Sequence, residues 1–349
     1  MFIKLFGVMK MVVTNVRTTI HTMKADYLTP VTIFKKLKGH QKFLLESSSK
    51  YEESGRYSFI GANPRKTYFG SNTTLNDVTH ETSQHYTYDG ALIQSLKQVM
   101  PRVSSNTQFP FIGGAIGYIQ QDAENKIMPD VQFHIYDTVV IFDHIKDEAT
   151  IVHTNIAAEH QESNLQSIIA QLESDEKVTD ETFELGTLQA ESVRSITSTF
   201  TGSPFELYRK LRIKAPGAYM YYVEFDKHTL IGTSKDSFIA VTEAQIQGRP
   251  SNHYKVALEK VATNVACTEK ITGQLQPGLH SLDALQALIE EDEKTSDSVN
   301  PVVGYIGFNG QIDFTLGEQV IVIDEEKLLA TASEPIFTAF QNTLQQLKG

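Results

Sequence analysis

Short apolar runs separated by polar loops dominate the chain, and longer amphipathic stretches are few. Phe43-Leu44-Leu45 and Tyr57-Ser58-Phe59-Ile60 flank a polar segment, and the second run stops at Gly61 and Asn63-Pro64. Aromatic and branched runs closed by Gly, Asn and Pro predict strands, here a β-hairpin. Tyr136–His144 and Ala149–His153 predict two more strands around the turn Ile145–Glu148, and Ala215–Phe225 a turn and strand. The polar, Thr-rich stretch from Thr67 to His85 reads as strand edges and turns.

Helical spacing is found elsewhere. Leu92, Ile93, Leu96 and Val99 share one face, as do Ile168, Ile169 and Leu172 within Ala157–Glu173. Pro30 opens a short helix at the first turn, where its missing N–H would be unpaired anyway. Ser203-Pro204-Phe205-Glu206 predicts a capping box before the helix FELYRKLRI. Val256–Gly273 reads as an amphipathic helix, Ser174–Thr197 as a polar acidic linker, and Glu290–Lys294 as a solvated acidic loop.

One pattern occurs twice. Phe109–Ile119 carries Gly113-Gly114 and Gly117 within an apolar run, which predicts a buried strand closely approached by other backbone. Val302–Gly307 repeats its A-I-G-Y-I core late in the chain as V-G-Y-I.

Composition narrows the function. The 349 residues suit one large or two modest domains. The formal charge of −11 argues against nucleic acid, which requires basic patches. No apolar run reaches the ~18 residues of a membrane span, and no membrane role is expected. The start, MFIKLFGVMKMVV, lacks a small-residue cleavage site and reads as an extension, with Met11 and Met23 as alternative starts. Cys267 is the single cysteine, which fits a reducing, cytoplasmic location. His134, His144 and His153 lack ligand spacing on one face and read as strand histidines rather than metal ligands.

The segments LLES and GRYSFIGANP, between Leu44 and Pro64, resemble the N-terminal signature of anthranilate synthase component I, the large subunit. SPFELYRKLRIKAPGAYMYYVEF, the paired Gly-Tyr runs, LQPGLHSLDALQALI and GFNGQIDFTLGEQV extend the resemblance over most of the chain. It implies an α/β (α+β) fold, a large antiparallel β-sheet sandwich with helices on its outer faces and a central segment missing. It also implies an N-terminal extension (1–22), a component I N-terminal-like region (23–173), a linker (174–200) and a truncated chorismate-binding-like region (201–349). The family converts chorismate to anthranilate for tryptophan synthesis with Mg²⁺ and ammonia, which a glutamine amidotransferase subunit supplies. Tryptophan inhibits it, and the resemblance places the effector on Glu46, Ser47, Tyr219, Met220, Val303 and Tyr305.

The catalytic motifs match less well. The family's catalytic His falls at Ala266, which cannot carry a proton, and its substrate-binding Arg at Gln319. The metal-side carboxylates fall at Gln341 and Asn342, neutral amides that hold Mg²⁺ poorly. Gly248-Arg249-Pro250 is a remnant of a longer family motif, and the family's glycine floor is absent before Ser333. Asp236 stands where the family has a catalytic-site Glu, one methylene shorter. These departures imply that Mg²⁺ is not retained and that activity is impaired, leaving an effector- or partner-binding pseudoenzyme as the alternative.

Overall fold

The computed structural model describes residues 16–47, 55–104, 107–120, 128–156, 164–243, 245–248, 258–263, 271–275, 279–295 and 300–348. The first half of the chain contributes β1 (Arg17–Lys24), β2 (Phe43–Ser47), β3 (Tyr57–Gly61), β4 (Lys66–Ser71), β5 (Thr74–Thr79), β6 (Gln84–Asp89), β7 (Gly114–Ile119), β8 (Val131–Tyr136), β9 (Thr138–Asp143) and β10 (Glu148–Asn155). The second contributes β11 (Phe183–Leu185), β12 (Gln189–Ala190), β13 (Ser195–Gly202), β14 (Tyr219–Glu224), β15 (His228–Ser234), β16 (Ser237–Thr242), β17 (Gln245–Gly248), β18 (Leu258–Thr263), β19 (Ile271–Leu275), β20 (Val302–Gly307), β21 (Ile312–Leu316), β22 (Gln319–Asp324) and β23 (Lys327–Ala332). Six helices are described: α1 (Pro30–Lys36), α2 (Leu92–Val99), α3 (Leu165–Glu173), α4 (Pro204–Lys214), α5 (Ser281–Thr295) and α6 (Glu334–Leu347).

The strands form two antiparallel sheets, and each sheet takes one half from each half of the chain. One runs β1-β10-β9-β3-β2-β14-β15-β22-β23-β13-β11, with β12 on β13; the other runs β18-β19-β17-β16-β21-β20-β7-β8-β4-β5-β6. The halves meet at β2–β14 and at β7–β20. The repeated Gly-Tyr runs are therefore paired with each other, Gly117 directly opposite Gly304. Neither glycine has room for a side chain: a Cβ on Gly117 would lie 1.9 Å from the Gln132 carbonyl oxygen, and one on Gly304 2.0 Å from that of Asp313.

Three apolar clusters give the layers. Phe43, Phe111, Tyr118, Tyr136, Ile141, Tyr221 and Val320 fill the space between the sheets. Leu44, Ile60, Met220 and Ile321 face the other way and pack under α1, α3, α4 and α6. Leu96, Leu285, Phe133 and Phe314 join α2 and α5 to the outer face of the second sheet. The alternation within Phe43-Leu44 follows from the two-residue period of a strand.

The predicted hairpin forms, with Phe43 opposite Gly61, and Thr29 and Thr32 cap α1 reciprocally. Four expectations change. The linker stretch enters the sheet, since β11 and β12 both pair with β13. The predicted helix over Val256–Gly273 is instead two strands where described: β18 pairs with β19, and β19 with the edge of β17. L-E-K-V-A-T has helical rather than alternating spacing, and tertiary pairing overrides it. Glu290, Glu291 and Asp292 continue α5 rather than forming a loop, because Leu282, Leu285, Leu288 and Ile289 anchor the helix below them. The Ser203 capping box does not form; Glu206 turns to Lys35 at 2.6 Å and Arg209 at 2.6 Å. Residues 1–15, the hairpin loop 48–54, Arg249, Pro250, Ala266 and Cys267 lie outside the described residues.

Candidate functional site

The seams where the halves of each sheet meet lie against each other across the inner core, and a cavity of about 40 Å³ opens between them. Leu45, Glu46 and Tyr219–Tyr221 come from β2 and β14, and Val303–Tyr305 from β20. Five of the six residues assigned to the effector therefore border one cavity. For the sixth, Ser47, the structure gives the backbone position, opposite Tyr219.

The five do not all present side chains to it. Glu46 and Met220 are cross-strand partners, and alternation carries both side chains toward α4. There Glu46 is held by Arg212, with Nε 2.7 Å from Oε2 and Nη2 2.6 Å from Oε1, and the Tyr208 hydroxyl donates at 2.8 Å. Burial, reinforced by the Glu46 charge, pushes the Tyr208 phenol well above its usual range. Tyr219, Val303 and Tyr305 face inward. The Tyr305 ring packs against Phe111 at 4.8 Å and Phe59 at 5.7 Å.

Asp313, on β21, is the polar group of this inner wall. Its carboxyl accepts from Ser237 Oγ at 3.3 Å and lies 3.5 Å from the Tyr219 hydroxyl. Burial pushes it up to about 7, against the smaller opposing pull of those two donors. The sequence reading passed over Asp313, as well as Arg212 and Tyr208. Its one available signal was an acid among the strand-forming residues of I-D-F-T-L.

Asp236 is exposed in the turn between β15 and β16, and its carbonyl accepts from Thr315 Oγ1 at 2.7 Å. Thr315 also borders the cavity, so this turn is tied to its wall. Gln319 lies between Thr233 and Ala332, and its buried Oε1 has no hydrogen-bond partner among the described residues. Gln341 and Asn342 sit on α6, whose Phe340 and Leu344 are buried under the helical layer. Among the described residues no group of three or more His, Cys, Asp or Glu side chains comes together as a metal site.

Residues 187–250 match the family described as chorismate binding enzyme. Anthranilate synthase component 1 of Lactococcus lactis is 24% identical over 452 residues, which cover 95% of this chain and 98% of that protein. That alignment is longer than the 349-residue chain, so the relative contains segments absent here. Anthranilate synthase component 1 of Bacillus subtilis is 22% identical, covering 84% of this chain and 82% of its own length. Among solved structures, anthranilate synthase component I from Streptococcus pneumoniae superposes with a TM-score of 0.57 at 19% identity, covering 94% of this chain and 99% of that one. The menaquinone-specific isochorismate synthase of Escherichia coli gives 0.56 at 11% identity, covering 96% and 94%. Two large antiparallel sheets with outer helices are the fold this chain shares with these two solved structures. The chain thus resembles anthranilate synthase component I in sequence and in fold, at a shorter length than those relatives.

Proposed function

We propose that this chain is an anthranilate synthase component I-like protein of tryptophan biosynthesis whose catalytic step is impaired, and which keeps the family's effector site. The observation that supports the second part is the cavity between the two seams, where Tyr219, Val303, Tyr305 and Asp313 converge. An aromatic rim with one enclosed carboxyl suits an aromatic amino acid: rings stack on rings, and the ammonium pairs with the carboxylate. About 40 Å³ is far below the ~300 Å³ of ordinary ligand pockets, so entry of tryptophan requires the Tyr305 and Phe59 rings to move.

Impairment is supported by Gln319 in place of the arginine that the resemblance places there, and by amides at Gln341 and Asn342. Mg²⁺ is accordingly not part of the proposal. Pairing with a glutamine amidotransferase subunit is carried over from the family. No helix of the described residues is long and apolar enough to cross a membrane.

Purified protein supplied with chorismate, ammonia and Mg²⁺ is expected to form no fluorescent anthranilate. Product above a no-protein control would overturn the impairment. A thermal-shift titration with tryptophan is expected to raise the melting temperature, and no rise at millimolar ligand would remove the effector reading.

A further inference from the structure

A groove of about 850 Å³ lies on the helical side of the first sheet, where the end of β1, the turn between β9 and β10 and the carboxyl end of α4 converge. Ala25, Leu28, Pro30, Phe142, Pro216 and Met220 form the apolar part of its lining. Three of the five exposed large hydrophobic residues among those described stand at this one place. Ile213, 74% exposed, is in the wall, and Tyr27 (94%) and Ile145 (74%) each adjoin a lining residue in sequence. Large apolar side chains gathered in water mark a surface that something covers.

The charges of the groove do not balance. Arg212 is the cation of the lining, and both oxygens of Glu46 already hold it. Burial lowers the His144 imidazole, so it adds no charge near neutrality. Asp26 and Asp147 remain. The Ala25 N–H donates to the Asp147 carbonyl at 2.9 Å, which keeps the two acidic segments side by side. Lys24, the cation on which both acids act, is taken by Glu148 at 2.9 Å. Among the described residues neither aspartate has an ion-pair partner.

The chain itself carries a segment of matching character. In residues 1–13, MFIKLFGVMKMVV, all but Lys4, Gly7 and Lys10 are apolar and none is acidic, in a chain whose net charge is −11. The described chain begins at Val16, at the far end of β1. At ~3.3 Å per residue, Val16 lies ~30 Å along that strand from Asp26. Twelve residues of extended chain separate Lys4 from Val16 and span ~40 Å, enough to return to the groove. Lys10 is six residues from Val16 and reaches only ~20 Å.

We propose that residues 2–6 seat in this groove of their own chain, Phe2, Ile3, Leu5 and Phe6 against the apolar lining and Lys4 beside Asp26 and Asp147. Tethering favours this occupant over a second copy, because a short link holds the segment at millimolar effective concentration.

The test treats the full chain at micromolar concentration with a water-soluble carbodiimide, which joins lysine to a carboxylate only where the two touch, and maps the links by peptide mass. Lys4 is expected to be joined to Asp26 or Asp147 within one chain, at least tenfold more often than Lys10, with a yield that dilution does not change. Phe6→Asp is expected to cut that yield at least fivefold. Links from Lys4 only to other carboxylates, links only between chains, equal use of Lys4 and Lys10, or no link at all would overturn the proposal. A Phe6→Asp yield equal to the parent's would overturn the apolar seating.

Discussion

Gly117 and Gly304 face each other where the two halves of the second sheet join. Each is pressed by a carbonyl on its far side, from Gln132 and Asp313 respectively. Replacing either with alanine forces backbone apart on both sides of the seam. G117A and G304A are each expected to cost about 3 kcal/mol or more, at the upper end for overpacking. Urea melts would show it, and a midpoint within error of the parent would refute the close-approach reading.

Glu46 is buried and depends on Arg212 and Tyr208 for its compensation. Arg212→Ala leaves that carboxylate in the helical layer without a cation. Because Arg212 is itself partly exposed, the expected loss is about 2 kcal/mol rather than the ~3–5 of a fully buried pair. Tyr208→Phe removes one hydrogen bond and is expected to cost about 1 kcal/mol. Thermal denaturation of the two variants should preserve that order.

His134 and His228 are buried between the sheets with imidazoles pushed down to about 3 and about 4, chiefly by burial. His80 and His40 add repulsion at His134. The neutral form is what the fold accommodates. Stability from these groups is complete above the unfolded value near 6.5 and is lost as pH falls from there toward 4. His134→Phe is expected to flatten that acid limb in a pH series of melting temperatures.

Asp313 works in the opposite direction. Its carboxyl is raised to about 7, so unfolding releases its proton more readily and stability declines as pH climbs from about 4 to 7. Three pKa units correspond to ~4 kcal/mol, reduced here by contact with the cavity. Asp313→Asn should remove this slope and stabilise the protein near pH 7. Tryptophan, if seated there, needs the ionised carboxyl. Its affinity should therefore rise through pH 7 in the parent, and in the variant show weaker binding without that rise, as read by calorimetry.

Much of the fold was legible because alternation and glycine punctuation are local. The hairpin from Phe43 to Gly61 and the twin Gly-Tyr strands could be read from their own residues. What could not be read was which strands each would meet. The edge strand β18 carries a helix-compatible pattern, and only pairing with β19, itself held on β17, selects the extended form. The acidic tail of α5 depends likewise on leucines a turn or two earlier. At the site, the resemblance located the cavity's border but not the direction of its side chains. Glu46 looks outward to Arg212, and the inward acid is Asp313, contributed by a strand more than two hundred residues away.

The shared ownership of both sheets has a cost during synthesis. Until β14 leaves the ribosome, β2 stands as a bare edge, and β7 waits longer still for β20. A nascent chain of some two hundred residues therefore exposes two ready templates for pairing with other chains. Yield in cells should depend on chaperone supply more than the melting temperature of the finished molecule would suggest.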